Sequence, residues 1–548
     1  MANLYDQLKK IKNYLNGDDK KNQSNQKYPT SFQDKTHNKN INPKSVNSIN
    51  IASKEPSPKI TDSKKIDVNA SPGQVKDEKF QPILNKSSPS VESEITHSLG
   101  KKLYRQHFFK HPESWVANGG KTQISNKDFN NFVDIYIGID FGTSFTKAAV
   151  GLMDKIYPVE WSGLSNFDQK YLLPSEYCIL SDESIFIGQH PKVNYSNFKS
   201  DLKLPFINNK NLIPDDIEYA SIFLALIIRY IRGWTYHNYL NLLQKKNIRW
   251  HLNLGAPSNG LEGPSLRNIY LNLAKYSWDK SNIESTHAVK NCNYNNHREC
   301  LDLISVEVFP EFVAQMAGYL QSSQRVSGLH ALIDVGGGTL DVVTYIVHQD
   351  QEREDVFPFL VPEVKPFGTQ ILNLKRFEIK EVRQNKLEID ELAPVLDAYS
   401  FAKFASVPSK LVTNVDDVFS EKISALITDV FRLTKNKRYR LSNAWEAGVR
   451  TFFTGGGSNS AFYKNAINKA QHQSKGGLIL TLLPRHPKLD NFLGDDRDYQ
   501  RISVACGLAQ DSFTLGKVRP AKEVEDDIAP PPQPSVRERL DRDDLYPK

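Results

Sequence analysis

The sequence lacks a hydrophobic run long enough to cross a membrane, and it contains little cysteine. Its longest apolar stretch, SIFLALII at 221–228, falls short of the ~20 residues that a membrane-spanning helix needs. The N-terminal MANLYDQLKK has no apolar core or cleavage site of a secretory signal. Four cysteines in 548 residues suit a reducing compartment. These absences predict a cytoplasmic protein without a membrane span.

Two common nucleotide-binding patterns are also missing. Neither GxxxxGK[ST] nor GxGxxG occurs where a strand would lead into a helix, which excludes P-loop and Rossmann sites. The formal net charge is +7, and lysines near the N-terminus account for much of it. No aromatic residues alternate with basic ones, so we interpret these lysines as a solvated linker and expect no nucleic-acid partner.

Composition divides the chain into four parts. Residues 17–128 are rich in Asn, Lys and Ser and poor in apolar clusters, which predicts a disordered linker. Residues 517–548 are Pro-rich and charged, and are predicted to form a tail. Residues 129–516 are left as the folded body.

The first part, residues 1–16, is predicted to be a short amphipathic helix. Its apolar residues fall at helical spacing with lysines between them: Leu4, Leu8, Ile11 and Leu15. A helix this short is marginally stable alone. It either docks, on a protein partner or on the folded body, or it has no functional role. Both interpretations stay open.

Two segments of the body have the same pattern. IYIGIDFGTSFTKAAV (135–150) and ALIDVGGGTLDVVTYIV (331–347) each contain an apolar run, an aspartate, a Gly/Thr turn and a second apolar run. Each predicts a β-hairpin, with Asp140 or Asp334 at the end of its first strand. Glycine turns allow backbone N–H groups to converge on an anion. Two such hairpins, 194 residues apart (334 − 140), predict a duplicated architecture that grips phosphate from both sides.

A third segment, TFFTGGGSNSAFYKNAI (451–467), predicts a strand, a glycine loop and a helix. Ser458 and Asn459 are candidate caps of that helix. Such a junction brings a nucleotide close to the backbone and to the helix N-terminus.

These three motifs, in this order, resemble the phosphate-one, phosphate-two and adenosine elements of the actin / DnaK-chaperone / sugar-kinase ATPase superfamily. The DnaK-type branch is the most similar, because YLLPSEYCIL, SVEVFPEFVAQMAGYL, KPFGTQILNLKRFE and ISVACGLAQ resemble its connecting elements. The resemblance runs over about 135–510. It implies a two-lobed actin-like α/β fold, in which each lobe is a ribonuclease-H-like mixed sheet with flanking helices and the nucleotide lies in the cleft.

The resemblance also implies ATP or ADP with Mg²⁺ as cofactors, and roles for individual residues. Asp140 and Asp334 match the metal-holding carboxylates, and Glu311 matches the glutamate that positions water. Lys199 is the chosen match to the phosphate-contacting lysine, with Lys203 as the alternative. The predicted nucleotide contacts are Gly142, Thr143, Ser144, Lys147, Gly336, Gly337, Gly338, Thr339, Gly455, Gly456, Gly457 and Ser458.

Some of these residues keep two interpretations. Lys147 points either into the cleft or to solvent, and Asp341 either caps or pairs within the cleft. Ser460 occupies the position of the chaperones' base-packing arginine, which leaves ATP or GTP preference open. No room follows Leu515 for the chaperones' peptide-binding domain, so peptide refolding is not expected.

A further group of candidate metal ligands lies in THAVKNCNYNNHREC. It contains His287, Cys292, His297 and Cys300, a ligand set that suits tetrahedral zinc. The spacing matches no known finger, and free thiols and histidines on a surface loop are the favoured interpretation.

Three functions follow, in order of preference. The first is a slow Mg²⁺-dependent ATPase that acts as a nucleotide-driven switch on a protein partner, recruited through the N-terminal helix or the tail. The second is an actin-like filament in which ATP controls polymerisation. The third is a small-molecule kinase, for which the sequence offers no clear catalytic base.

Overall fold

A computed structural model describes residues 116, 119–120, 131–161, 170–181, 183–188, 198–207, 212–257, 264–282, 303–349, 355–384, 395–515 and 517–519. All of them belong to one compact unit. The predicted N-terminal helix at 1–16 and most of the predicted linker and tail lie outside these residues. Within them, no helix is both long and apolar enough to traverse a lipid bilayer.

The strands of the described residues are β1 (Phe132–Asp140), β2 (Phe145–Leu152), β3 (Lys155–Pro158), β4 (Leu173–Pro174), β5 (Tyr177–Ile179), β6 (Ile185–Ile187), β7 (Phe198–Lys199), β8 (Asn247–Ala256), β9 (Leu303–Pro310), β10 (Gly328–Val335), β11 (Leu340–Gln349), β12 (Asp355–Lys365), β13 (Val449–Thr454), β14 (Leu478–Thr481) and β15 (Lys517–Arg519).

The α-helices of the same residues are α1 (Leu204–Ile207), α2 (Pro214–Leu243), α3 (Pro264–Ser281), α4 (Glu311–Leu320), α5 (Thr369–Phe377), α6 (Lys380–Gln384), α7 (Ala398–Ala405), α8 (Ser409–Leu433), α9 (Ala444–Ala447), α10 (Ala461–Lys469) and α11 (Asp496–Leu508). A π-helical turn at Thr434–Arg438 extends α8, and 3₁₀ turns occupy Gly456–Asn459 and Ser512–Leu515.

The two large sheets have the same topology. The first has the order β3-β2-β1-β8-β9, and the second has the order β12-β11-β10-β13-β14. In each, the first three strands are antiparallel neighbours and the last three are parallel. The duplication predicted from the two hairpin motifs is therefore also present in the strand order, and the predicted mixed α/β class is confirmed.

Alternation along β1 explains how the first sheet is covered on both faces. Ile135, Ile137 and Ile139 are buried in one cluster with α2 and α3, as expected for a strand whose side chains alternate between faces. On the opposite face, Gly138 has no side chain, and a Cβ built there would lie 2.5 Å from the carbonyl oxygen of Ala505. The missing side chain lets α11 lie directly on the sheet.

Each sheet is covered by a helix that follows the other sheet in the chain. Helix α4 comes after the first sheet but packs on the second, where the rings of Phe312 and Phe359 are 4.1 Å apart. Helix α11 comes after the second sheet and packs on β1 and β2 of the first. The two helices cross where Gly507 meets the backbone of Ala314. The two halves of the fold are thus interlocked by an exchange of helices.

Ordered packing extends past both predicted ends of the body. Val116, inside the predicted linker at 17–128, is buried in the first core, and its carbonyl accepts a 2.9 Å hydrogen bond from Arg229 Nε. Strand β15 pairs with β12 three residues beyond the predicted limit of 516. Composition does not predict the order of these positions, because one buried side chain or a few backbone hydrogen bonds hold each segment in place.

Candidate functional site

The first hairpin places an ion pair at the end of β1. Asp140 is opposite Lys147 in the β1–β2 register, and Lys147 Nζ lies 2.9 Å from Asp140 Oδ2. Asp140 is buried. The cleft and solvent were both open to Lys147, and the structure directs its side chain to Asp140 and shields most of it from solvent.

Ser175, which directly follows β4, forms hydrogen bonds to the turn of this hairpin. Ser175 Oγ donates to the carbonyl of Gly142 at 2.7 Å, and its N–H donates to the carbonyl of Ser144 at 2.9 Å. In a planar trans peptide the C=O and the following N–H point in opposite directions. The N–H groups of Thr143 and Phe145 therefore point away from Ser175.

The turn of the second hairpin is held in the same way by the N-terminal end of α5. The N–H groups of Gly368, Thr369 and Gln370 donate to the carbonyls of Gly338, Gly336 and Gly337, at 3.3, 3.0 and 2.8 Å. By the same peptide geometry, the N–H groups of residues 337–339 point away from α5. Both turns thus have their carbonyls engaged on one side and their amides directed to the other.

The two turns face each other. A Cβ on Gly337 would overlap Ser144 Oγ, and one on Gly338 would lie 3.2 Å from Thr143 Oγ1. Ser144 Oγ is buried and has no hydrogen-bond partner among the residues that the structure describes. The residues predicted to contact phosphate from the two hairpins are therefore side by side.

A buried ion pair lies beside the hairpins at the start of α4. Lys203 Nζ is 2.5 Å from Glu311 Oε1, and both side chains are largely shielded from solvent. Burial raises the pKa of Glu311, and Lys203 opposes that shift. Burial alone would lower the pKa of Lys203, but Glu311, Tyr270 and Asp140 raise it.

Lys199, the first choice for this position, lies elsewhere. Its Nζ is 4.2 Å from the centre of the Tyr219 ring, on α2. The alternative lysine, Lys203, is the one that the structure brings to Glu311. The two lysines are four residues apart, and only tertiary contacts distinguish them.

Asp334 is held by a residue that the sequence analysis missed. Gln315 Nε2 donates to Asp334 Oδ2. Burial raises the pKa of Asp334 to about 6, the hydrogen bond from Gln315 opposes this, and the negative charges of Glu311 and Asp140 add to it. Gln315 is four residues after Glu311, which places both on one face of α4. That spacing was the available sequence signal.

Asp341 belongs to the same cluster, opposite Asp334 in the β10–β11 register. Burial, followed by the charges of Asp334 and Glu311, raises its pKa well above the ordinary value. Within the described part of the chain, Asp341 Oδ1 and Gln315 Oε1 are buried oxygens without a hydrogen-bond partner. Buried oxygens without a donor are costly, and an ion or a water molecule would satisfy them.

Carboxyl groups outnumber basic groups in the cluster. Asp140, Glu311, Asp334 and Asp341 are accompanied by two lysines, Lys147 and Lys203. The described residues contain no group of three or more His, Cys, Asp or Glu arranged to ligate a metal directly. Mg²⁺ keeps several waters and needs only one or two carboxylates, so the donor set fits a hydrated Mg²⁺. The four zinc candidates at 287–300 lie outside the described residues.

The glycine loop after β13 adjoins this cluster. Gly455 has φ +83°, and a Cβ on it would overlap Asp334 Oδ1. A Cβ on Gly457 would overlap the side chain of Val335. Only glycine allows the loop to lie this close to the end of β10.

The predicted caps of the following helix are wrong. Ser458 Oγ donates to the carbonyl of Gly455 at 2.8 Å, inside a 3₁₀ turn that delays the helix. Helix α10 begins at Ala461, with Ser460 as N-cap, and the Ser460 side chain makes no capping hydrogen bond. Ser458 therefore stabilises the loop rather than the helix end.

Comparison with known proteins adds little. No protein-family model matches the chain, and no curated protein matches it. A solved structure of MreB 5 of Spiroplasma citri bound to AMPPNP is similar at 13% sequence identity and a TM-score of 0.37, over 68% of this chain and 94% of that one. At this TM-score the likeness does not establish a fold or a function for the chain.

Proposed function

We propose that the chain binds a nucleoside triphosphate between its two sheets and hydrolyses it slowly with Mg²⁺. The observation that carries this proposal is the meeting of the two hairpin turns, at Ser144 and Gly337, beside a cluster of acids and lysines. Phosphoryl transfer to water needs positioning and charge neutralisation rather than covalent chemistry by the protein. The two turns offer backbone amides for positioning, and the carboxyl groups fit a hydrated Mg²⁺ that would offset the phosphate charge.

Each residue has a role that follows from its position. Backbone amides of Thr143 and of residues 337–339 bind phosphate oxygens, since their carbonyls are engaged behind the turns. Asp140 and Asp334 would hold a hydrated Mg²⁺. When bound, Mg²⁺ supplies positive charge that offsets the charge of the phosphates.

Glu311 is proposed to accept a hydrogen bond from the attacking water. Its place at the first residue of α4, beside Asp140 and Lys203, supports this role. Lys203 fixes the carboxylate and opposes its protonation. We assign to Lys203, rather than Lys199, the role of the lysine in the site.

We further propose that nucleotide binding drives a conformational switch that a protein partner detects. The crossing of α4 and α11 supports this, because a ligand held by both hairpins acts on both halves of the fold. The motifs that resemble the DnaK-type branch point the same way. An actin-like filament remains the competing outcome, and sedimentation with and without ATP distinguishes the two.

The direct test is phosphate release from ATP and Mg²⁺ by the purified protein, without a phosphate acceptor. We expect slow turnover that falls by about 100-fold or more in Asp334→Asn and in Glu311→Ala, while thermal unfolding shows that both variants remain folded. Lys203→Ala and Lys199→Ala then decide between the two lysines, and the Glu311 contact predicts the larger loss in Lys203→Ala.

Two results contradict the proposal. Failure of the protein to bind either ATP or GTP would remove the nucleotide assignment altogether. Turnover that survives Glu311→Ala would retain nucleotide binding but would exclude Glu311 as the residue that positions water.

A further inference from the structure

Arg501, on α11, is a cation that the carboxylate cluster does not use. Its guanidinium lies 5.8 Å from the centre of the Phe145 ring, next to the first hairpin turn. Burial lowers its pKa to about 10, and Asp498 is the acid that opposes this shift. Arg501 is half-buried, and no hydrogen bond or ion pair to another described residue holds its guanidinium.

The donors of this arginine are available to a ligand. A guanidinium carries five N–H donors and pairs well with carboxylate, phosphate or carbonyl oxygens. The half-buried guanidinium of Arg501 keeps contact with solvent, so a ligand that enters the site can reach it. An anionic ligand group that carries oxygens fits these donors.

The position of Arg501 indicates which ligand group this is. Thr454 Oγ1, at the end of β13, donates to the carbonyl of Gln500 at 3.2 Å and holds α11 beside the glycine loop. A Cβ on Gly456 would lie 3.7 Å from Arg501 Nε. Arg501 thus lies between the first hairpin turn and the glycine loop.

We propose that Arg501 binds the phosphate nearest the nucleoside, in the same pocket whose terminal phosphates face the two hairpins. The inference rests on the proposed nucleotide function. It assigns phosphate binding to an arginine of α11. This role differs from that of the chaperones' base-packing arginine, whose position Ser460 occupies. A planar guanidinium binds phosphate through two parallel N–H donors, and it can do so while stacked on Phe145.

The test is a set of calorimetric titrations with ADP, AMP and adenosine on the full chain and on Arg501→Gln. We expect Arg501→Gln to weaken ADP and AMP by about 10- to 100-fold, as for hydrogen bonds to charged groups, and to leave adenosine unchanged. Arg501→Lys should recover part of the loss because it keeps the charge but not the paired donors. Arg497→Gln, an exposed arginine of the same helix, is the matched control and should bind all three ligands as the wild type does.

Thermal unfolding of the ligand-free proteins separates binding from packing. If Arg501 serves the ligand, ligand-free Arg501→Gln should be about as stable as the wild type, because the half-buried guanidinium holds no hydrogen bond within the described chain. Equal losses for adenosine and ADP, or lower stability together with unchanged affinities, would overturn the inference alone. If the wild type binds none of the three ligands, the proposed function fails and the inference fails with it.

Discussion

At the scale of single residues, the site is defined by acids that lie close enough to shift one another's pKa. Asp334 shows this most clearly, because burial and the charges of Glu311 and Asp140 raise its pKa from 3.8 to about 6. The ligand-free protein therefore ionises this carboxyl at a cost. We interpret this cost as a consequence of the carboxylate's role, because a bound cation would stabilise its ionised form.

The raised pKa of Asp334 predicts how stability depends on pH. The folded state binds the proton more tightly than the unfolded state, so this group's contribution falls as pH rises from about 4 to about 6 and stays unfavourable above that. Ligand-free Asp334→Asn should therefore gain stability over the wild type at pH 7.5, on the order of 1–3 kcal/mol, and much less at pH 4.5. Thermal unfolding at both pH values measures the difference.

The exposed Asp429, which pairs with Arg432 on the surface, provides the control. Asp429→Asn should change stability little and equally at the two pH values, since exposed ion pairs contribute little. A loss of stability in Asp334→Asn that is the same at pH 4.5 and 7.5 would show that its hydrogen bond with Gln315, rather than its charge, dominates.

At the scale of elements, the two hairpin turns act as one unit. Each is anchored from behind, one by Ser175 and the other by the start of α5, and they meet at Ser144 and Gly337. Because both turns are fixed, neither can shift easily to make room for an added atom. We therefore expect that an added atom at their contact destabilises the fold.

This contact predicts a suppressible defect. Gly337→Ala should lower the free energy of unfolding by about 1–3 kcal/mol, as overpacking does, because its Cβ overlaps Ser144 Oγ. Ser144→Ala removes that oxygen and should restore most of the loss in the double variant. Denaturant unfolding of the four proteins in this cycle gives the coupling energy.

Gly336→Ala is the matched control for the turn. Its Cβ would meet nothing closer than 3.4 Å, so it should cost much less than Gly337→Ala. If Ser144→Ala fails to relieve Gly337→Ala, the two turns are not in contact in solution.

The sequence predicted these hairpins well because turn chemistry is local. Glycines, aspartates and alternating apolar residues are adjacent in the chain, and they specify the strands and the turn between them. What braces the turns is not local, since Ser175 acts from 33 residues beyond Gly142. Other contacts between residues distant in the chain could not be predicted either. They include the hydrogen bond from Gln315 to Asp334 and the approach of Arg501 to Gly456. For the same reason the sequence could not decide between Lys199 and Lys203.

At the scale of the whole molecule, the exchange of α4 and α11 makes each half depend on the other. Helix α4 covers the second sheet, and α11 covers the first. A half expressed alone would expose the apolar face that its missing helix covers. The sequence of α4 is apolar on almost every face, and all its residues from Phe312 to Leu320 are buried, but this composition does not tell which sheet the helix covers.

We therefore predict that residues 1–325 and 326–548 do not fold cooperatively when produced separately, and that they assemble when produced together. Thermal unfolding and near-ultraviolet circular dichroism test the separate fragments, and co-purification tests the pair. A cooperative transition in either fragment alone would show that the exchange of helices is dispensable for that half.

The exchange also has a consequence for synthesis of the protein on the ribosome. After β9 is complete at Pro310, another 185 residues (495 − 310) must be translated before α11 begins. At about 5–20 residues per second this takes roughly 10 to 40 s. Throughout that interval the face of the first sheet that contains Gly138 and Gly151 waits without its cover. The nascent chain thus carries an open sheet face that a ribosome-associated chaperone would need to shield until translation is nearly finished.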